Sequence, residues 1–161
     1  MAAFLLATIA ATAQDDTWRT YVNARFGFLL DYPAEIFTSM RQSANGDGVV
    51  LTSADGKARL SAYAINAPQA ETPVRILRQL ADREEPAETT YVRHGRTWGV
   101  ISGYVQGRQR IFYTRLTLAC QGRVRLVMDM EYPSAHRQRY DALLARLADS
   151  MRPGPSTCGS R

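Results

Sequence analysis

The chain has 161 residues, of which 45% are hydrophobic and 22% are charged, a composition typical of a globular protein and not of a disordered or collagen-like one. This length suits a single domain and argues against a two-domain enzyme. The formal net charge of +5 is compatible with a polyanionic partner such as nucleic acid or an anionic membrane surface. Apart from Lys57, however, the basic residues are all arginines scattered without a run of like charge, a bias more typical of a GC-rich genome than of a phosphate-binding surface.

The first thirteen residues have the features of a secretory signal peptide. They carry no charged side chain and close on Ala11-Thr12-Ala13, a small-x-small cleavage pattern before Gln14. No Lys or Arg precedes the apolar run, so either the true start lies upstream or the amino terminus supplies the only positive charge.

A membrane anchor is not expected from this segment. As a helix it would be about 20 Å long, shorter than the roughly 30 Å hydrocarbon core of a bilayer, and no Cys follows it to carry a lipid. We therefore expect residues 1–13 to be removed and residues 14–161 to form a periplasmic or secreted domain. A buried N-terminal strand is the alternative.

The two cysteines lie far apart in the chain. Cys120 ends a strand-like run, and Cys158 lies in a Pro-Gly-Ser tail that starts at about residue 153. In an exported chain two cysteines favour one disulfide, which we expect to hold the tail to the domain. No His or Cys stands at metal-ligand spacing from either one, and we expect no metal or cofactor.

Hydrophobic alternation predicts strands in both halves of the chain. They fall at 17–23, 26–32, 49–53, 58–64, 89–94, 97–105, 110–119 and 123–132. Pro33 ends the second strand because proline has no N–H to donate, and Asp55-Gly56 is a hairpin turn. The last strand alternates cleanly, which places one face in the core and leaves the other wet or covered by polar contacts.

Two helices are predicted between and after these strands. The first starts at Thr72-Pro73, with a hydroxyl at the cap and a proline at the first helical position, and runs to about residue 85. The second has apolar residues at helical spacing from Tyr140 to Met151 and stops at Arg152-Pro153-Gly154. The order of strands, helix, strands and helix favours an antiparallel sheet in a single α+β domain.

Several amino-terminal motifs resemble those of a known family. They are Trp18, Tyr21, Asn23, Arg25-Phe26-Gly27-Phe28, Asp31-Tyr32-Pro33 and Asn45-Gly46-Asp47-Gly48. This set is similar to that of small exported bacterial proteins of unknown function with a PsbP-like fold. The resemblance implies an antiparallel sheet sandwiched by helices, an α/β/α sandwich shared by the photosystem II subunit PsbP and a Ran-binding nuclear import factor. It implies a scaffold whose members bind proteins or assist assembly, and it brings no catalytic residues.

The histidines, His94 and His136, are the residues best suited to catalysis. No Gly-x-Ser-x-Gly, His-Glu-x-x-His or phosphate-binding loop accompanies them in the sequence. A small periplasmic hydrolase would have to pair His94 with an acid such as Glu88 or Asp129, and this is kept as an alternative function.

The segment Asn45-Gly46-Asp47-Gly48 offers oxygen ligands at alternate positions, as calcium loops do. The further acidic ligands and the closing Glu of such a loop are absent from the sequence. We interpret the segment as a turn.

Arginines and aromatic residues are interleaved around the strands predicted at 110–119 and 123–132. They are Arg108, Arg110, Phe112, Tyr113, Arg115, Arg123 and Arg125. A sheet face of this kind could bind single-stranded nucleic acid by stacking and charge neutralisation. In an exported protein, an anionic sugar, a lipid headgroup or an acidic protein surface is the better partner. The candidate ligand-binding residues are therefore Tyr113, Arg115, Arg123 and Arg125. The alternative is a solvated face with Asp129 and Glu131 as local partners.

Other aromatic residues occupy strand positions and are typical of a core. They are Trp18, Tyr21, Tyr63, Tyr91, Trp98 and Tyr104. A small apolar pocket between sheet and helix is also consistent with them. The sequence thus favours an exported, non-enzymatic binding or accessory module of the cell envelope.

Overall fold

A computed structural model describes residues 18–67, 71–82 and 87–159. The predicted signal peptide lies outside the described residues. In chain order the elements are β1 (Trp18–Val22), β2 (Leu29–Pro33), β3 (Phe37–Gln42), β4 (Gly48–Ser53), β5 (Arg59–Asn66), α1 (Pro73–Ala81), β6 (Glu88–His94), β7 (Trp98–Val105), β8 (Arg110–Ala119), β9 (Val124–Pro133) and α2 (Arg137–Ser150). Short 3-10 turns at Cys120–Gly122 and Ser134–His136 flank β9.

The strands form one large sheet and one small hairpin. The large sheet is antiparallel throughout, in the order β3-β4-β5-β9-β8-β7-β6, and β1 pairs with β2 in the hairpin. Pairing of β5 with β9 joins the strands that precede α1 to the strands that follow it. Strand β9 is the fourth of the seven strands and lies at the centre of the sheet. The strands β3 and β6 are the edges of the described sheet.

Each face of the sheet carries its own hydrophobic cluster. On one face, here the α2 side, helix α2 and the β1–β2 hairpin bury a cluster that includes Phe28, Met128 and Tyr140. On the opposite face, the α1 side, helix α1 buries a smaller cluster with Leu77, Phe112, Leu116, Val127 and Ile101 among its members. The burial of Val127 under α1 shows that the second face of β9 is partly apolar core, where the sequence indicated only solvent or polar contacts. The architecture is the predicted α+β sandwich of a single domain.

Most predicted elements are present, with differences at their ends. The second strand starts at Leu29 because Gly27 adopts φ +69°, which interrupts an extended backbone. Strand β3 was not predicted. Thr72 occupies the N-cap of α1 but makes no capping hydrogen bond through its side chain, and the helix ends at Ala81. The predicted continuation through 83–85 lies outside the described residues.

The C-terminal tail is fixed to the domain by covalent and polar contacts. Cys120 and Cys158 form a disulfide, as predicted. The backbone of Arg152 exchanges two hydrogen bonds with Leu29, of 2.9 and 3.1 Å. Gly27 and Gly154 allow the close approach, because a Cβ on Gly154 would lie 2.2 Å from the carbonyl oxygen of Gly27. Among the described residues, neither helix has the length and apolar character needed to cross a membrane.

Candidate functional site

The two helices cover different parts of the sheet and leave one region of the α2 side open. Helix α2 packs on β2 and β9, whereas α1 packs on β6, β7 and β8 from the other side. The strand β6 is exposed along its whole length. The α2 side of β6 and of the adjoining part of β7 is therefore left exposed.

This open region is rich in aromatic residues. Tyr91 is 46% exposed and Trp98 is 37% exposed. Cross-strand partners share a face, and the register places Ser102 opposite both Tyr91 and Tyr113. We call the surface formed by these residues the tyrosine face; its members are Tyr91, Trp98, Tyr104, Tyr113 and Arg115.

A groove of about 350 Å³ lies between the tyrosine face and the start of α2. Its aromatic lining consists of Tyr91, Tyr104, Tyr113 and Tyr132. At the helix side, the hydroxyl of Tyr132 donates to Oδ1 of Asp141 at 2.6 Å, and Nε of Arg137 donates to Oδ2 at 2.9 Å. The carboxylate of Asp141 is thus held between a phenol and a guanidinium.

The phenols of Tyr113 and Tyr132 stay protonated near neutral pH. Burial raises the pKa of Tyr113. Burial also raises the pKa of Tyr132, and the hydrogen bond to the negative Asp141 raises it further. The groove therefore presents aromatic rings and the neutral hydroxyl of Tyr113 to a ligand.

Two arginines frame the tyrosine face through contacts with its rings. The guanidinium of Arg115 lies 5.8 Å from the ring centre of Trp98 and 3.7 Å from the carboxylate of Asp149 on α2. Arg108 lies 5.1 Å from the ring centre of Tyr104 and pairs with Glu88. Cations over aromatic rings stabilise the ring orientation by about 0.5 to 1 kcal/mol at exposed sites.

The four predicted ligand-binding residues do not share one surface. Tyr113 and Arg115 lie on the tyrosine face. Arg125 lies on the α1 side, where it pairs with Glu71. Arg123 is exposed in the turn before β9, where its Nε donates to the carbonyl oxygen of Cys120 at 3.1 Å. Of the other arginines in the predicted cluster, Arg110 approaches Glu131 at 3.8 Å, the kind of local pairing that the alternative interpretation predicts.

Three residues of the tyrosine face were missed as candidate site residues. Tyr91, Trp98 and Tyr104 were interpreted mainly as core because they occupy strand positions. The pocket considered between sheet and helix involves two of them, since Tyr91 and Tyr104 line the groove. Of the six aromatic residues interpreted mainly as core, Trp18, Tyr21, Tyr63 and Trp98 do not line this groove.

The structure does not assemble the pair that a hydrolase would need. His94 and Glu88 lie at opposite ends of β6, about 20 Å apart along the strand. Asp129 is on β9, three strands away from β6 and so at least about 14 Å from His94. Glu88 is already paired with Arg108, and Asp129 accepts a hydrogen bond from Thr114.

The segment interpreted as a turn rather than a calcium loop forms a turn with internal hydrogen bonds. The carboxylate of Asp47 accepts from the hydroxyl of Ser43 at 2.6 Å and from the amide of Asn45 at 2.8 Å. The hydrogen bond from Ser43 lowers the pKa of Asp47. Within the described part of the chain, no group of three or more His, Cys, Asp or Glu side chains is placed to hold a metal ion.

Comparisons with known proteins concern the fold only. No known family model matches the chain, and no curated protein matches it. The solution structure of cyanobacterial PsbP (CyanoP) from Synechocystis sp. PCC 6803 is similar, with a TM-score of 0.66 and 13% identity over 90% of this chain and 97% of that chain. The crystal structure of the Saccharomyces cerevisiae Ran-binding protein Mog1p gives a TM-score of 0.47 and 8% identity, over 88% of this chain and 86% of that chain.

Proposed function

From the PsbP-like fold of the chain and the aromatic face that it leaves uncovered, we propose that the protein is an exported, non-catalytic module that binds a protein of the cell envelope. The observation that carries the proposal is the exposure of Tyr91 and Trp98 on the same open face. In this proposal the tyrosine face is the contact surface, and the groove beside α2 receives a side chain of the partner.

The composition of the tyrosine face favours a protein partner. Tyrosine, tryptophan and arginine are the residues most enriched among the energetic hot spots of protein interfaces. Their rings offer a large contact area at a low cost in side-chain entropy. The ring contacts of Arg115 and Arg108 hold the face in place before a partner arrives, which reduces the ordering cost of binding.

The edge position of β6 favours an extended segment of the partner. A strand at the edge of a sheet has backbone N–H and C=O groups that can pair with an added strand. The exposed side chains of β6 leave access to that edge. An extended segment that pairs with β6 would place alternate side chains over Tyr91 and into the groove.

Export is supported by two features of the chain. A disulfide between Cys120 and Cys158 is typical of proteins in oxidising compartments. The signal-peptide pattern at 1–13 points to the same compartment.

The proposal is tested by site-specific photo-crosslinking in the cells that make the protein. A photoreactive phenylalanine analogue is placed at Tyr91 on β6 or, as a matched control, at Met40 on the opposite edge strand β3, which is 43% exposed. We expect a discrete crosslinked envelope protein from position 91 and none from position 40. Equal products at the two positions, or none at either, would contradict the proposal.

Binding of the identified protein is then measured with purified components. We expect Trp98→Ala to raise Kd at least tenfold, the effect of a loss of about 1.4 kcal/mol, and Met40→Ala to leave Kd unchanged. An unchanged Kd in Trp98→Ala would show that the tyrosine face is not the interface.

A further inference from the structure

A second cleft lies where the β1–β2 loop, the disulfide and the C-terminal tail meet. Its volume is about 640 Å³, and it shares no lining residue with the groove beside α2. We propose that this cleft binds a small ligand with a carboxylate or phosphate group, and that Arg25 and Arg123 neutralise the charge of that group.

The charge of the cleft walls favours an anion. Among the described residues, Arg25 and Arg123 are the only charged side chains that line it. Arg25 also interacts with the carboxylate of Asp47, which does not line the cleft. An anionic ligand in the cleft would interact favourably with both guanidinium groups. Carboxylates and phosphates also match the planar fork of donors that arginine presents.

Arg25 is held in position before any ligand binds. Its Nη1 donates to the carbonyl oxygen of Asn45 at 2.8 Å, and its guanidinium lies 5.2 Å from the ring centre of Phe26. Nδ2 of the buried Asn23 donates to the carbonyl oxygen of Gly46. This hydrogen bond also fixes the neighbouring backbone of Asn45. A guanidinium fixed in this way loses little further freedom on binding.

Arg123 is anchored through its inner nitrogen and keeps its outer nitrogens available. Nε donates to the carbonyl oxygen of Cys120 at 3.1 Å. Within the described residues, its two Nη groups donate no hydrogen bond. These two nitrogens form the end of the fork that binds an oxyanion in a bidentate manner.

The backbone around Cys120 sets the direction of Arg123. Cys120 and Gln121 have φ of +54° and +59°, a left-handed conformation that is costly for residues other than glycine. The bond to Cys158 fixes this turn to the tail, so the disulfide and the tail form one wall of the cleft.

The size of the cleft and its neutral polar lining favour a small molecule over a macromolecule. Neutral polar side chains of Asn66, Ser156 and Thr157 also line the cleft and offer hydrogen bonds to the rest of a ligand. The volume lies within the range of about 300 to 1,000 Å³ that is typical of small-molecule sites.

The inference is tested by NMR titration of the oxidised protein with inorganic phosphate and, separately, with succinate. We expect saturable amide shifts confined to 24–26, 66, 120–124 and 156–159, and the probe that binds more tightly identifies the preferred group. Arg25→Gln and Arg123→Gln should each raise Kd by about tenfold or more. Arg41→Gln, which removes the same charge from an exposed position on β3, should change Kd less than about twofold.

Two outcomes would overturn the inference. One is the absence of saturable shifts in these segments with both probes. The other is an equal loss of affinity in Arg123→Gln and Arg41→Gln, which would indicate a general effect of net charge. Intact mass, with two hydrogens missing for the disulfide, and an unchanged melting temperature confirm that each variant is folded.

Discussion

Asn23 links three segments through one buried side chain. It is 2% exposed, and its Oδ1 accepts from the backbone N–H of Arg25 at 3.1 Å and of Phe26 at 2.7 Å. Its Nδ2 donates to the hydroxyl of Tyr21 at 3.1 Å and to the carbonyl of Gly46 at 3.0 Å. The full hydrogen-bonding capacity of the amide is thus used inside the protein.

Replacement of this amide should be costly. We expect Asn23→Ala to lower the free energy of unfolding by about 3 kcal/mol, because several buried donors and acceptors lose their partner. Urea unfolding followed by circular dichroism measures the loss. Asn45→Ala, at an exposed asparagine of the adjoining turn, should cost less than about 1 kcal/mol. Equal losses in the two variants would show that burial of the Asn23 network contributes little.

Asp31 makes the stability depend on acid. Burial acts to raise its pKa, but the hydrogen bonds from Thr20 at 2.7 Å and from Arg152 at 2.9 Å outweigh burial and lower the pKa below its usual value. A carboxyl group whose pKa is lowered by folding stabilises the protein above its unfolded pKa, and this stabilisation is lost as the pH falls through the folded pKa.

Asp31→Asn should therefore lower the melting temperature at about pH 7, and this difference should be lost as the pH falls through the folded pKa of Asp31, which lies below the usual aspartate value of about 3.9. Thr20→Val removes one of the two donors and should give a smaller difference with the same pH dependence. Melting curves at several pH values measure both effects. A difference for Asp31→Asn that stays constant across this range would contradict the role of the ionised carboxylate.

Gly103 determines how closely β6 can approach β7. A Cβ at this position would lie 1.9 Å from the carbonyl oxygen of Glu88 and 2.9 Å from Cα of Thr89. These are backbone atoms, so the strand itself would have to move. We expect Gly103→Ala to lower the free energy of unfolding by about 1 to 3 kcal/mol and to increase hydrogen exchange at the amides of β6.

Gly99→Ala is the matched control in the same strand. Its Cβ would meet Cδ1 of Leu77 at 2.5 Å, which is the end of a flexible side chain. Hydrogen exchange of β6 should therefore change less in Gly99→Ala than in Gly103→Ala. Equal protection of β6 in both variants would contradict the predicted displacement.

All eight predicted strands are present. They include β6, which has no buried residue but is rich in β-branched and aromatic residues. Strand β3 was missed because it has one buried residue, Phe37, and a mostly polar sequence that lacks such a run. The second strand was predicted three residues too early because Phe26 and Phe28 are buried from a loop. The alternating hydrophobic residues at 26–28 reflect burial of the two phenylalanines, and these residues do not pair with β1 as a strand.

The candidate site could be predicted only in part. Which residues of neighbouring strands lie on the same face of the sheet depends on how the strands are aligned, that is, on their register. Periodicity places Arg115 and Arg125 each on one face of its own strand. Which faces coincide is determined by the β8–β9 register, which pairs Arg115 with Met128 and Arg125 with Leu118. That register depends on the turn at Cys120–Gly122, in which the left-handed conformation of Cys120 and Gln121 has no signal in the sequence. The sequence likewise does not distinguish the exposed Tyr91 from the buried Tyr132, because both occupy strand positions.

At the scale of the whole molecule, the disulfide contributes to stability by restricting the unfolded chain. It joins residues 38 positions apart, which corresponds to roughly 4 kcal/mol in the chain-entropy model. We expect Cys120→Ser to lower the melting temperature without changing the far-ultraviolet circular dichroism spectrum, and Cys158→Ser to have the same effect. Equal melting temperatures of oxidised and reduced wild-type protein would contradict this contribution.

The same bond determines which parts of the chain can be extended by force. The central strand β9 and helix α2 both lie between Cys120 and Cys158, inside a covalent ring. A force that pulls on the two ends of the chain passes directly across the sulfur bridge, so the ring carries no tension. The oxidised chain can therefore be stretched to a length about 130 Å shorter than that of the reduced chain. Under load, extension is confined to the segments before Cys120 and after Cys158, while the residues within the ring remain slack.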